Sequence, residues 1–384
     1  FGLTLVELAK NNPKIIGITP AMPSGSSMKF MMEAFPNRAF DVGIAEQHAV
    51  TLSAGMATQG MLVFCNIYST FLQRAYDQVI HDVALQNLPV IFCLDRAGLV
   101  GEDGATHHGV FDIAYLRCIP NMMIYAPKDE IDLQNILYTA SLGLKHPIAI
   151  RYPRGRGKNA DWKFPSDFQK IEVRKAQKLK KGKNAAILST GTIATNVTAA
   201  LADIEDDGHF AHYHFGFVKP LDEKKLHKIC DKFSTIITVE DGVTTGGFGS
   251  AILEFAAKND YVNEVFLCGV PDYFIEHGTV DELQQFCNID VDGLKSLFST
   301  LLEEEEEDKD RQQAEHAHGK ETAEIAFAKT QSQFLARGRA IDEQDAITSA
   351  RDEKTIRLRE ARLTREREAR ESATAALVAK RART

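Results

Sequence analysis

The sequence has few of the features that mark secreted or membrane proteins. Only six of its 384 residues are cysteine, and they are dispersed with no C-x-x-C pair. Dispersed cysteines in apolar runs are typical of buried, reduced thiols, so a cytoplasmic location is expected. No stretch approaches the ~20 apolar residues of a membrane span, and the first residues lack the layout of a signal peptide. We therefore expect neither a membrane partner nor export.

Positive charge is also in deficit. Lysine and arginine number 45 against 53 aspartates and glutamates, which gives a formal net charge of −8 at pH 7. An acidic chain is a poor general binder of nucleic acid, so no nucleic-acid partner is expected. Hydrophobic residues make up 44% of the chain, which is enough for cores in two or three domains.

The apolar pattern predicts an α/β protein with two consecutive three-layer domains. Short apolar runs alternate with helix-period segments over residues 1–155 and again over 183–302, as in parallel sheets covered by helices on both faces. Residues 156–182 are rich in Lys, Pro and Gly and are interpreted as an ordered linker. The predicted strands are 15–19, 39–43, 61–67, 88–94, 122–126, 148–152, 185–189, 212–215, 235–239 and 265–268.

Residues 303–384 differ in composition from the rest of the chain. They hold many Arg, Glu and Ala residues, almost no aromatics and no strand signal. Opposite charges three and four positions apart support an exposed helix, but apolar residues are too sparse for a core. We expect a charged helical or disordered tail of unknown origin.

Glu46 is the most informative single residue. It stands where the predicted strand 39–43 gives way to a helix of small residues, among apolar or small neighbours. A charge there would cost desolvation energy, and such a carboxyl can share a proton with a ligand. An acid at a helix N-terminus is also a common structural feature, and for the isolated stretch that interpretation is favoured.

Four ordered blocks of sequence favour a functional role for Glu46 over the structural one. They are FPNRAFDVGIAEQHAV at 35–50, YSTFLQRAYDQ at 68–78, DRAGLVGEDGATH at 95–107 and RYPRG at 151–155. Together they resemble the 1-deoxy-D-xylulose-5-phosphate synthases of the transketolase family, and several blocks at matching spacing are far more specific than one motif. The resemblance covers roughly residues 1–302 and implies a pyrimidine-binding domain followed by a transketolase C-terminal domain. The tail is not covered.

The resemblance implies a thiamin-diphosphate-dependent transferase. Pyruvate would lose carbon dioxide and its remaining carbons would join glyceraldehyde 3-phosphate, a step toward isoprenoid, thiamin and pyridoxal precursors, in a homodimeric enzyme. The implied roles are cofactor activation for Glu46, cofactor contacts for Tyr68, Phe71 and Arg74, substrate contacts for Tyr68, Arg96, Asp103, His107 and Arg154, and a catalytic role also for His107. Guanidinium groups suit phosphate oxygens, and histidine can pass protons near neutral pH.

A second half of the cofactor site is not found in the sequence. Thiamin diphosphate also needs a Gly-Asp-Gly motif followed by Asn, which holds the magnesium ion, and the chain has no such pair. We expect the magnesium ligands elsewhere, no metal site here, and a chain that is the interior of a longer polypeptide. Two alternatives stay open: a subunit of a split transketolase or 2-oxo acid dehydrogenase decarboxylase, and a non-catalytic assembly module.

Three other features are interpreted as structural. His108 stands where relatives of this type usually carry Gln, so only His107 takes a role from the resemblance. The glycine-rich segment 246–249 lacks the Lys-Ser/Thr ending of a phosphate loop and predicts helix-start packing. His209, His212 and His214 alternate along a predicted strand edge, a pattern more typical of a polar strand face than of a metal site.

Overall fold

The computed structural model describes residues 1–155, 157 and 167–317, and for residues 305–317 the helical backbone alone. Residues 156 and 158–166 of the predicted linker and most of the predicted tail therefore lie outside the described residues. The chain divides into one compact unit, Phe1–Leu302, which contains both sheets, and a second that begins at Glu303.

Two sheets form the centre of the first unit. The first has seven strands in the order β10-β5-β6-β4-β3-β1-β2, and the second has five in the order β12-β11-β8-β9-β7. The strands are β1 (Ile15–Thr19), β2 (Ala39–Asp41), β3 (Leu62–Tyr68), β4 (Ile91–Asp95), β5 (Met123–Tyr125), β6 (Ile148–Arg151), β7 (Gln177–Lys180), β8 (Ala185–Ser189), β9 (Phe210–His214), β10 (Phe217–Lys219), β11 (Thr235–Val243) and β12 (Glu264–Val270).

All strand pairs are parallel except β10 with β5 and β7 with β9. Strands β1, β4, β6 and β8 are buried at every position. Continuous apolar strands of this kind are characteristic of parallel sheets with both faces covered. The predicted α/β fold class is confirmed.

Helices connect the strands and cover the sheets. They are α1 (Gly2–Asn11), α2 (Lys29–Ala34), α3 (Glu46–Thr58), α4 (Tyr76–Gln78), α5 (Asp112–Arg117), α6 (Glu130–Ser141), α7 (Ala194–Ala202), α8 (Glu223–Cys230), α9 (Phe248–Lys258), α10 (Val280–Phe286) and α11 (Val291–Ala317). Helix α4 lies between a 3-10 segment, Phe71–Ala75, and a π-helical segment, Val79–Ala84. Among the described helices, none combines the length and the apolar character that a membrane crossing requires.

Two strands fall where the sequence predicted none. Strand β7 lies inside the predicted linker 156–182 and pairs antiparallel with β9. Strand β10 follows the second domain's β9 but pairs with β5, so it extends the first sheet. Helix α11 continues past residue 302, where the second domain was predicted to end.

A buried ion-pair network joins the two α/β domains. Arg151, at the end of β6, donates from Nε to Asp112 at 2.9 Å and from Nη1 to Asp241 of β11. Ser69 Oγ donates to Asp112 at 3.0 Å. Burial by itself would lower the pKa of Arg151, but the charges of Asp112 and Asp241 raise it above its ordinary value. The guanidinium therefore stays charged although it is almost fully buried.

Four of the six cysteines are buried, Cys268 is half-buried and Cys118 is exposed; all six are free thiols. The prediction of reduced cysteines agrees with this arrangement, but the predicted burial does not extend to Cys118.

Candidate active site

The predicted site residues converge on one edge of the first sheet. Tyr68 ends β3, Arg96 follows β4, Arg154 follows β6, and Glu46 begins α3 five residues after the end of β2. Because these strands are parallel, their carboxyl ends share an edge, which is where open α/β sheets bind ligands.

Glu46 is the first residue of α3 and is only 3% exposed. Its Oε1 accepts a hydrogen bond from Arg74 Nη1 at 2.7 Å. The guanidinium and the positive end of α3 together offset the cost of burying a carboxylate. The local sequence does not reveal this ion pair, because Arg74 lies 28 residues after Glu46 in the chain. Oε2 accepts no hydrogen bond from the residues that the structure describes, and is available to a ligand.

An aromatic group lies beside this ion pair. The rings of Tyr68 and Phe71 are stacked, with centroids 5.7 Å apart. Phe71 also meets the edge of His107 at 5.4 Å and the guanidinium of Arg74 at 5.1 Å. Phe71 thus connects the Glu46–Arg74 pair with Tyr68 and His107. Aromatic walls of this kind suit a flat heteroaromatic ring.

Arg96 packs against the other side of the aromatic group. Its guanidinium carbon lies 3.8 Å from the Tyr68 ring centroid. Nη1 donates to the Gly25 carbonyl at 2.9 Å and to Asp95 at 2.8 Å. A Cβ on Gly25 would lie 1.9 Å from the Tyr68 hydroxyl, so only glycine fits there. Gly25 was not identified from the sequence; a loop glycine gives no signal until the Tyr68 contact is known.

Arg154 pairs with a second predicted residue. Its Nη1 donates to Asp103 Oδ2 at 2.9 Å and to the Val100 carbonyl at 3.4 Å. The side chains of Arg154 and Asp103 are 40% and 44% exposed, so the pair is open to solvent. Burial raises the pKa of Tyr68. The positive charges of Arg96 and Arg154 both oppose that rise. The charges of both arginines therefore act on the same tyrosine, which indicates that Arg96, Arg154 and Tyr68 form one cluster.

The arrangement fits the pyrimidine half of a thiamin diphosphate site. Three features meet the needs of that ligand and of a phosphorylated substrate. One oxygen of the buried carboxylate accepts no hydrogen bond from the described residues, and an aromatic wall lies beside it. The part-buried guanidinium of Arg96 and the exposed guanidinium of Arg154 lie further along. Among the described residues there is no group of three or more potential metal ligands.

The residues interpreted as structural take the following places. The N–H groups of Phe248 and Gly249 donate to Glu240, both at 2.8 Å, so this helix start is occupied by a protein carboxylate. His212 and His214 are 1% and 2% exposed, and burial lowers the pKa of each to about 3. The predicted polar face of this strand is thus wrong for these two residues, which are neutral and internal.

Known proteins show the same domain pair. "Transketolase, pyrimidine binding domain" matches residues 1–158, and "Transketolase, C-terminal domain" matches residues 174–294. The 1-deoxy-D-xylulose-5-phosphate synthase of Parabacteroides distasonis is 56% identical over 77% of this chain and 46% of its own length. The synthases of Bacteroides fragilis and Aquifex aeolicus are 57% and 50% identical over 78% and 79% of this chain, and 46% and 48% of their own lengths.

A solved structure described as a split-gene transketolase, in an inactive β4 tetramer, has a TM-score of 0.67 and 26% identity, and covers 77% of this chain and 94% of its own. The chain spans about half the length of the curated relatives it matches. The two domain matches and the similarity to these synthases show that this chain belongs to the transketolase family, with the pyrimidine-binding domain followed by the C-terminal domain.

Proposed function

We propose that this chain supplies the pyrimidine-binding and C-terminal domains of a 1-deoxy-D-xylulose-5-phosphate synthase. The substrates would be pyruvate and glyceraldehyde 3-phosphate. The observation that supports this most directly is the buried Glu46, one oxygen of which accepts no hydrogen bond within the described part of the chain, next to the cluster of Tyr68, Arg96 and Arg154. The 50–57% identity to synthases over 77–79% of the chain points to the same reaction.

The complete activity requires a diphosphate-binding portion as well. Because the chain spans about half of its curated relatives, we propose that magnesium and the diphosphate are held by that portion, on the same or a separate polypeptide. The split-gene transketolase matches this chain along 94% of its own length. It is a precedent for an arrangement in which the diphosphate-binding portion is a separate polypeptide. That structure is described as a β4 tetramer, and we propose that this chain also self-associates, as a homodimer. The free thiols of the described residues support a cytoplasmic location.

Thiamin diphosphate, when bound, supplies a carbon nucleophile that adds to the ketone of pyruvate. Five residues of the site would then have the following tasks. Glu46 Oε2 would hold and pass a proton at the pyrimidine ring. Tyr68 and Phe71 would pack on that ring and exclude water. Arg96 and Arg154 would bind the phosphate of the acceptor, because guanidinium forks match phosphate oxygens.

Glu46→Gln tests the central assignment. The amide keeps the shape of the side chain but cannot pass the proton, so in the assembled protein we expect deuterium exchange at the cofactor's thiazolium carbon to slow by about a hundredfold or more. The control is Glu33→Gln, the same change at an exposed position. An exchange rate in Glu46→Gln equal to that of the wild type would refute the role of Glu46.

A further inference from the structure

A closed loop carries Asp103 and His107, two of the residues that the resemblance implies are substrate contacts. Gly98 and Gly109 exchange two backbone hydrogen bonds, of 2.9 and 2.8 Å, which close the segment 98–109 at its base. Asp103 lies within this loop and pairs with Arg154. The way the loop is held therefore determines where the Arg154 guanidinium lies.

His108 holds this loop from inside. Its side chain is 4% exposed, and its Nδ1 accepts a hydrogen bond from the Val100 backbone N–H at 3.1 Å. Since Nδ1 is the acceptor, Nε2 carries the proton and donates to the Glu276 carbonyl at 3.2 Å. Glu276 belongs to the segment between β12 and α10 of the second domain. One imidazole thus connects the loop of the first domain to the second domain.

The contact between the loop and the second domain is close. A Cβ on Gly101 would lie 3.3 Å from the Gly278 carbonyl, and a Cβ on Gly104 would lie 3.3 Å from His277 Cβ. The backbone of Val100 connects this contact to the site: its N–H donates to His108 and its carbonyl accepts from Arg154 Nη1 at 3.4 Å. A shift of the Val100 backbone would move the carbonyl that accepts from the Arg154 guanidinium.

We propose that His108 is a positioning residue for the acceptor-phosphate site. Through His108, the second domain fixes the position of the Val100 backbone and thereby that of the Arg154 guanidinium. This inference rests on the proposed function for the identity of the acceptor. The connection between His108, Val100 and Glu276 does not depend on it. His108 touches neither substrate nor cofactor in this scheme.

Three substitutions separate positioning from general stability. His108→Leu removes both hydrogen bonds, whereas His108→Gln keeps one acceptor and one donor at the end of a side chain of similar reach. His108→Asn, whose amide is too short to span both partners, is a milder variant should the leucine chain not fold. His146→Leu is the matched control, because His146 is exposed and precedes β6 at the opposite edge of the sheet.

The variants are compared in the assembled protein with thiamin diphosphate and magnesium. For His108→Leu we expect the apparent KM for glyceraldehyde 3-phosphate to rise about tenfold, which corresponds to the loss of a buried hydrogen bond, with the KM for pyruvate unchanged. The acceptor KM of His108→Asn should lie between those of the wild type and His108→Leu. The acceptor KM values of His108→Gln and His146→Leu should match that of the wild type. Hydrogen exchange of the segment 96–109, measured without turnover, should be faster in His108→Leu and restored in His108→Gln.

An unchanged acceptor KM in His108→Leu would overturn the proposal, and so would an equal rise for both substrates or a failure of His108→Gln to restore the wild-type values. A wild-type protein that forms no product would instead count against the proposed function. The exchange of segment 96–109 in the three His108 variants would still decide whether His108 holds the loop.

Discussion

At the scale of single residues, the site combines buried charge with backbone strain. Arg96 has a φ of +60°, in the left-handed region that arginine rarely adopts. The conformation is held by the ion pair with Asp95, the bond to the Gly25 carbonyl and the contact with Tyr68. A strained residue persists only where its surroundings determine it strongly, and such residues cluster at ligand sites. The strain therefore supports a ligand role for Arg96 that the strand-end position alone only suggested.

Replacement of Arg154 or Arg96 by alanine tests that role. Each guanidinium is proposed to bind the phosphate of glyceraldehyde 3-phosphate, which pyruvate lacks. Loss of one charge-assisted contact of about 2 kcal/mol should raise the apparent KM of the acceptor roughly thirtyfold and leave that of pyruvate nearly unchanged. Steady-state kinetics with each substrate varied separately measures this. The control is Arg174→Ala, at an exposed position; equal effects on both substrates would indicate a folding role.

At the scale of elements, the sequence predicted those strands whose signal is local. The fully buried strands β1, β4 and β6 are nonpolar up to a single polar last residue, and they formed where expected. Strand β7 is exposed at most positions and carries two lysines, so it has no apolar pattern to detect. Strand β10 has three residues, and its partner β5 lies about 90 residues earlier in the chain. Such pairing depends on tertiary structure and leaves no trace in local periodicity.

One missed strand lies beside one wrong prediction. The sequence predicts a polar face for His209, His212 and His214 along a strand edge, and it predicts a linker without a strand at residues 156–182. In the structure β7 pairs with β9, with His212 opposite Lys180 and His214 opposite Gln177, so β9 is an internal strand of its sheet.

The residue types at the candidate site were predictable from strand ends and motifs. The pairings Glu46–Arg74 and Arg154–Asp103 were not, because each joins residues that are distant in the sequence.

Helix α9 begins on a buried carboxylate, which gives it a pH-dependent stability. Burial raises the pKa of Glu240 to about 7, although the N–H groups of Gly249 and Phe248 oppose the rise. Between the unfolded value of 4.5 and about 7 the folded state binds more protons than the unfolded state, so stability falls as pH rises through this window.

Glu240→Gln should remove that dependence. The amide does not titrate, so the difference in unfolding free energy between variant and wild type should shift in favour of the variant by about 2 kcal/mol from pH 5 to pH 8. At both pH values the variant also loses one hydrogen bond, because its amide nitrogen cannot accept from a backbone N–H. Urea unfolding at the two pH values measures the difference. Glu33→Gln, an exposed change of the same kind, should show no such gain. A Glu240→Gln effect that is the same at pH 5 and pH 8 would contradict the raised pKa.

At the scale of the whole unit Phe1–Leu302, a strand pairing and a buried ion-pair network are among the contacts that join the α/β domains. Strand β10 extends the first sheet with residues that follow the second domain's β9. The buried Arg151 connects Asp112 of the first domain with Asp241 of the second, and its Nη2 lies 3.5 Å from the carbonyl of Gly109, where the loop 98–109 closes. A Cβ on Gly98 would lie 2.7 Å from Asp241 Oδ2. The base of the loop thus lies directly on the interdomain charges.

Asp241→Asn tests whether this network couples the two domains. The change keeps the side-chain shape but removes one of two negative charges that face a buried guanidinium, and leaving such a charge undercompensated costs about 3 kcal/mol. We expect that loss in urea unfolding followed by circular dichroism, still as one transition, with faster hydrogen exchange in both the segment 98–112 and β11. Asp260→Asn, at an exposed position, should change neither quantity. The exchange could instead become faster in β11 alone, with the segment 98–112 as protected as in the wild type. Asp241 would then stabilise only its own domain, and the two domains would be coupled through β10.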